Sequence, residues 1–178
     1  MIIQKYLFKT VLFLLLGTGL VHAQIRDVDS GFFQQSFGDL TDELKTAKDE
    51  GKKALFVMFD DKDCPWCAKM KATVLNKTEV QDYYRKYFRI IRIDKNGDNL
   101  LIDFDGNEIP EKAFSDKVRV RATPVMIFYD LEGNTMYRYT GAARNVEEFL
   151  WLGEFIAEDH YKTQEFPVFK RGKKKTVN

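Results

Sequence analysis

The chain has 178 residues, with 28 Lys and Arg against 27 Asp and Glu, a formal net charge of +1 and 14% aromatic residues. So even a charge balance leaves no electrostatic footprint for a nucleic acid or an anionic membrane surface, while the aromatic content suits a chain that buries a core. Two cysteines are too few for a disulfide-stapled scaffold, and there is no second Cys pair to complete a zinc site.

Residues 1–9 carry Lys5 and Lys9 and no acid, residues 11–21 are apolar apart from Gly17, Thr18 and Gly19, and Val21-His22-Ala23 places small residues where a signal peptidase reads. This is the three-part pattern of a secretory signal, with cleavage expected after Ala23 and a periplasmic or secreted product. The apolar run is short against the roughly 20 residues of a membrane span. An uncleaved N-terminal membrane anchor is the alternative. No cysteine follows the run, which disfavours a lipid anchor. Residues 24–169 are then expected to form one domain, and residues 170–178, with Lys170, Arg171, Lys173, Lys174 and Lys175, a basic disordered tail.

Within the domain, Leu40, Leu44 and Ala47 recur at helical spacing behind Gly38-Asp39, with acids in the first turn and Gly51 as the stop. Residues 54–59 form an apolar strand-like run. Residues 64–75 can form a helix, and Thr78-Glu79-Val80-Gln81 has the form of a capping box opening another. Residues 87–94 are near-continuously apolar, as in a strand buried between helices. Residues 95–118 are polar and carry Asp105-Gly106 between two short apolar stretches, which predicts a hairpin, and a short helix is expected from Pro110. Pro124 leads an apolar strand, as proline can at a strand's first residue. Glu132-Gly133-Asn134 turns it back into residues 135–140. Asn145 then caps a last helix with Val146, Phe149, Leu150, Gly153, Ile156 and Ala157 on one face.

Both cysteines fall in Cys64-Pro65-Trp66-Cys67, at a strand-to-helix junction. Residues three apart share a helix face, so the two sulfurs can meet with little backbone distortion. At a first helical turn, free N–H groups and the positive end of the dipole stabilise a thiolate on Cys64, and Pro65 has no N–H to lose there. The pattern is that of a thioredoxin-like redox site. An inert structural disulfide is the bland alternative, though so short a loop constrains an unfolded chain little. Zinc lacks ligands, since His22 and His160 lie far from the pair in sequence, and copper lacks an accompanying Met or His cluster. No metal or cofactor is expected.

The order of elements, together with Cys64-Pro65-Trp66-Cys67, Ile93-Asp94, Thr123-Pro124 and Gly141, resembles the thioredoxin superfamily over essentially the whole mature chain. Within it, the chain looks most like the exported, SoxW-type thioredoxin-related proteins. The resemblance implies an α/β fold, a central mixed sheet flanked by helices, with residues 95–118 as an insertion before a cis-proline strand. It implies a thiol–disulfide oxidoreductase acting through Cys64 and Cys67, with Pro65 and Trp66 shaping the motif. Thr123 would expose its backbone to a substrate peptide beside a cis Pro124. Implied partners are disulfide-bearing proteins, among them c-type cytochrome precursors or sulfur-oxidation proteins, and a membrane thiol-reducing protein. No dimerisation segment is visible, so a monomer is expected. The chain departs from the family at Met58, where cytoplasmic thioredoxins carry a buried aspartate. Asp60, Asp61 and Asp63, expected to be more exposed, are candidates for the proton transfer that aspartate assists. Negative charge beside Cys64 disfavours its thiolate, which points to a reductase. An oxidase or isomerase of the same fold, and a peptide-binding module without turnover, remain open.

Overall fold

Every residue of β1 (Ala54–Asp60) is buried, and the alternation of its side chains divides the core in two. Ala54, Phe56 and Met58 face one cluster, and Leu55, Val57 and Phe59 face the other, as the two-residue period of a strand dictates. The computed structural model describes residues 25–176, so the expected signal segment lies outside the described residues. On one edge β1 pairs in parallel with β2 (Phe88–Asp94), Ala54 opposite Phe88 and Asp60 opposite Asp94. On the other it pairs antiparallel with β5 (Val125–Tyr129), Phe59 opposite Val125, and β6 (Thr135–Thr140) completes a mixed sheet in the order β2-β1-β5-β6.

The first face is covered by three helical segments: α3 (Pro65–Met70), which runs on into a π-helical turn over Lys71–Leu75, α4 (Thr78–Tyr87) and α6 (Val146–Ala157). Tyr84 is fully buried there, stacked on Phe149 with ring centroids 4.2 Å apart, and its hydroxyl donates to the Phe149 carbonyl at 2.7 Å. Gly153 lets α6 lie this close to α4, because a Cβ there would stand 2.9 Å from a Tyr83 ring carbon.

The second face is covered by α2 (Leu40–Asp49), whose N-cap Asp39 accepts the N–H groups of Thr41 and Asp42, and by the insertion. As the sequence predicts, residues 95–118 contain a hairpin, β3 (Leu100–Ile102) with β4 (Glu108–Pro110), and a helix, α5 (Glu111–Lys117). The insertion is core rather than loop. Phe114 stacks on Phe59 with centroids 6.0 Å apart, and Leu101 and Val120 join the same cluster. Its hairpin and the β5–β6 hairpin share one turn chemistry, Asp103-Phe104-Asp105-Gly106-Asn107 and Asp130-Leu131-Glu132-Gly133-Asn134. In each, the first Asp carboxylate accepts the N–H groups two and four residues on, and the glycine takes φ of 81° or 86°, a region glycine enters without strain.

Two expectations are corrected, and one helix is added. Thr78 is not a cap: α4 begins one residue earlier, at the N-cap Lys77, and the Gln81 side chain donates instead to the carbonyls of Leu75 and Asp27. A short α1 (Val28–Gly31), capped by Asp27, precedes α2. Of the tail expected to be disordered, residues 170–176 are helical: α7 runs over Phe166–Thr176. Phe166 and Phe169, three residues apart, are buried against Phe155, and Lys170 and Lys173 bond Glu148 and Glu154 of α6. Apolar burial and these pairs outweigh the repulsion among the cations.

The insertion hairpin hangs on Asp103, whose side chain is 1% exposed. Burial opposes its ionisation, but hydrogen bonds from Lys117 and from the Asn107 and Asp105 N–H groups prevail and hold its carboxyl at about 2. A carboxyl depressed below its unfolded value stabilises the fold above that value, and the contribution is lost as pH falls through the folded one. In urea titrations, Asp103→Asn is expected to cost about 1–3 kcal/mol at neutral pH. It is also expected to flatten the loss of stability that the unaltered chain shows between pH 4 and pH 2, the window between the ordinary carboxylate value and the folded one.

Candidate redox site

The buried strand β1 ends at Asp60, and four residues later the chain enters α3. Cys64 is the N-cap, with φ −86° and ψ 105°, and Pro65 occupies the first helical position. The Cys64 carbonyl accepts the Ala68 N–H at 3.1 Å, while its Sγ accepts the Cys67 N–H at 3.1 Å. The sulfur therefore sits where a serine or aspartate oxygen caps other helices, at the positive end of the dipole. The two cysteines are joined as a disulfide with Cα atoms 5.3 Å apart. Cys64 keeps 8% of its surface and Cys67 1%, so both are buried and Cys64 is the more accessible of the two. Trp66, 58% exposed, stands beside them.

The Thr123–Pro124 peptide bond is cis. The register of Phe59 against Val125 carries Pro124 to the end of β1, level with the motif, and the Pro124 carbonyl accepts the Gly141 N–H at 2.9 Å. Trp66, Met70, Thr123, Pro124 and the segment from Gly141 to Arg144 line a groove of about 410 Å³. Thus Cys64, Pro65, Trp66, Thr123 and Pro124, read separately from sequence, come together at one end of the sheet.

The three aspartates divide. Asp60 was expected to be exposed but is buried, its side chain 7% accessible, because it is the last residue of a fully buried strand. It is paired at 2.5 Å with Lys71 Nζ. Asp61 is half-buried, accepting the Asp63 N–H and a hydrogen bond from the Asn96 side chain. Asp63 is exposed. Met58 lies wholly within the apolar core, and the one buried carboxylate of β1, Asp60, stands two residues further along at the strand's end. A second, smaller pocket of about 220 Å³ is lined by Cys64 and Cys67 together with Asp60, Asp61, Lys71 and Arg92.

Lys71 and Arg92 are the residues the sequence reading passed over. A signal existed for each: Lys71 lies four residues after Cys67, one turn along the same helix face, and Arg92 interrupts the otherwise apolar Ile90-Ile91-Arg92-Ile93. Among the described residues the group with metal-ligating atoms in mutual reach is Glu154, Glu158 and His160. Glu154 already bonds Lys173, and nothing further points to an ion there.

No helix among the described residues is long and apolar enough to cross a membrane. A family model for a thioredoxin-like domain matches residues 40–157. Among solved structures, a putative disulphide-isomerase from Bacteroides thetaiotaomicron is 26% identical with a TM-score of 0.56, covering 76% of this chain and 98% of that one. A thioredoxin-fold protein from Helicobacter pylori is 19% identical with a TM-score of 0.59, covering 71% of this chain and 87% of the other. A thioredoxin from Thermus thermophilus is 20% identical with a TM-score of 0.54, covering 70% and 85%. No curated protein matches the chain. With a matched domain that spans the cysteine pair and a sheet of the same architecture, the chain belongs to the thioredoxin-like domain family and is a thiol–disulfide oxidoreductase.

Proposed function

We propose that the chain is a periplasmic reductase of protein disulfides, of the exported SoxW-type, with Cys64 as the attacking sulfur and Cys67 as the resolving one. The observation that carries the order of attack is the unequal burial of the two: Cys64, the N-cap of α3, keeps 8% of its surface, and Cys67, one turn inside the helix, keeps 1%. The Cys64 thiolate attacks one sulfur of a substrate disulfide, and the other substrate sulfur leaves as a thiolate and takes up a proton. Cys67, once deprotonated, attacks Cys64 Sγ and expels the second substrate sulfur. The substrate has gained two electrons, and the chain is left as the Cys64–Cys67 disulfide. A membrane thiol-reducing partner then returns the electrons. Pro65 and Trp66 shape the approach, and the Thr123 backbone pairs with the substrate strand beside Pro124.

Of the three aspartates, Asp60 is the one we assign to accept the Cys67 proton, because it is the buried carboxylate of the pocket that Cys67 also lines. The reducing direction is supported by the absence of a histidine between the cysteines and by Asp63 next to Cys64. Both leave the helix N-terminus as the principal support for a thiolate, a weaker arrangement than that of strong oxidants. Substrates are c-type cytochrome precursors or sulfur-oxidation proteins, as the subfamily resemblance implies, and the signal at residues 1–23 supports the location. An isomerase is the second reading, favoured by the 26% identity with the Bacteroides protein. A reduction potential near about −270 mV supports the reductase, and one near about −180 mV the isomerase.

With insulin as substrate, Cys64→Ser is expected to abolish reduction, and Cys67→Ser to accumulate a covalent protein–substrate adduct on non-reducing gels; no adduct would contradict the order of attack. Asp60→Asn should slow the resolving step, visible as a pH–rate profile displaced to higher pH, while Asp61→Asn and Asp63→Asn leave the profile in place. Lys71→Met leaves Asp60 buried without its cation, and should cost about 1–3 kcal/mol in denaturant titrations of the oxidised chain.

A further inference from the structure

The groove beside Trp66 and Pro124 and the pocket behind the sulfurs differ in charge. The pocket mixes both signs, with Asp60, Asp61 and Asp94 against Lys62, Lys71 and Arg92. The groove has an apolar floor of Trp66, Met70, Pro124 and the Ala142-Ala143 pair, and among the described residues its charged lining groups are Lys69 and Arg144, with no carboxylate. Both cations are exposed. Lys69 lies on α3, its Nζ 5.3 Å from the Trp66 ring centroid, an arrangement that favours a cation over the ring face. Arg144 stands in the Gly141–Asn145 connection between β6 and α6. Thr123, on the groove wall between them, is the residue whose backbone the reading above assigns to the substrate strand.

We infer that this groove selects its substrates by charge: it takes an extended segment with an apolar residue next to the reacting cysteine and acidic residues flanking it, with Lys69 and Arg144 as the specificity-determining groups. The inference rests on the reductase reading and names the substrate class for the same site. An apolar neighbour of the cysteine fills the floor between Trp66 and Pro124, and carboxylates along the strand meet Lys69 and Arg144. A lysine-flanked segment brings like charges into a partly desolvated groove and is disfavoured. Such charge matching acts chiefly on the encounter and its salt dependence. Arg144 presents a fixed fork that can hold a carboxylate in two hydrogen bonds, whereas Lys69 acts as a point charge.

The experiment uses the pre-reduced protein and three disulfide-linked peptide dimers, identical in a Phe beside the cysteine and differing only in flanking Glu, Gln or Lys pairs. Each rate is divided by the rate with dithiothreitol, which removes the peptides' own difference in disulfide reactivity. The expected result is a ratio of about tenfold in kcat/KM between the Glu and Lys peptides at low salt. The ratio should shrink at high salt, fall close to unity in the Lys69→Gln, Arg144→Gln variant, and largely persist in Arg144→Lys. Equal rates for the three peptides, or a preference untouched in the double glutamine variant, overturn the inference while leaving the reductase reading standing. Failure to reduce any of the three overturns the reductase reading, and this inference with it.

Discussion

One contact joins the fold to its chemistry: the Cys64 sulfur accepting the Cys67 N–H at the first turn of α3. A helix must satisfy or expose its first N–H groups, and here the group that does so is the reactive one. Capping places Cys64 in extended backbone at the helix mouth and Cys67 one turn inside, which sets which sulfur a partner protein can reach. The rest of the molecule keeps that junction in place. β1, buried along its whole length, fixes where the strand ends, its antiparallel register with β5 brings Pro124 to the same level, and aromatic packing from Tyr84 and Phe149 anchors the helices over the sheet.

Charge is distributed around the sulfurs in two unlike ways. Behind them, the buried Asp60 is paired with Lys71, so its carboxylate does not stand as a lone charge in the interior. Beside them, the groove offers cations to a partner and no carboxylate of its own. The negative charge that the local sequence Asp60-Asp61-Lys62-Asp63 places next to Cys64 is thus largely engaged within the molecule. Asp63 alone of the three aspartates is exposed.

The strands and the longer helices were legible because β1 and β5 are apolar runs, β2 is largely so, and α2 and α6 carry helical spacing behind Asp39 and Asn145 caps. The redox pair was legible because its spacing and its strand-to-helix setting are local. What escaped were long-range facts. Exposure of Asp60 was misjudged because acidity in sequence says nothing of a position at the end of a central strand, nor of a lysine eleven residues later that neutralises it. The helical tail escaped because the charge run was visible while Phe155 and the glutamates of α6, which receive it, were distant in sequence. The polar sequence of the insertion hides its packing role: Leu101 and Phe114 show their purpose only when Phe59 is seen beneath them.

The claim most exposed to test is that Cys64 is the reactive sulfur. Brief alkylation of the reduced native chain with iodoacetamide, followed by peptide mass spectrometry, reads this directly. The account predicts that the label falls on Cys64 while Cys67 remains unmodified until the chain is unfolded. Labelling of Cys67 first, or equal labelling of both, would contradict it.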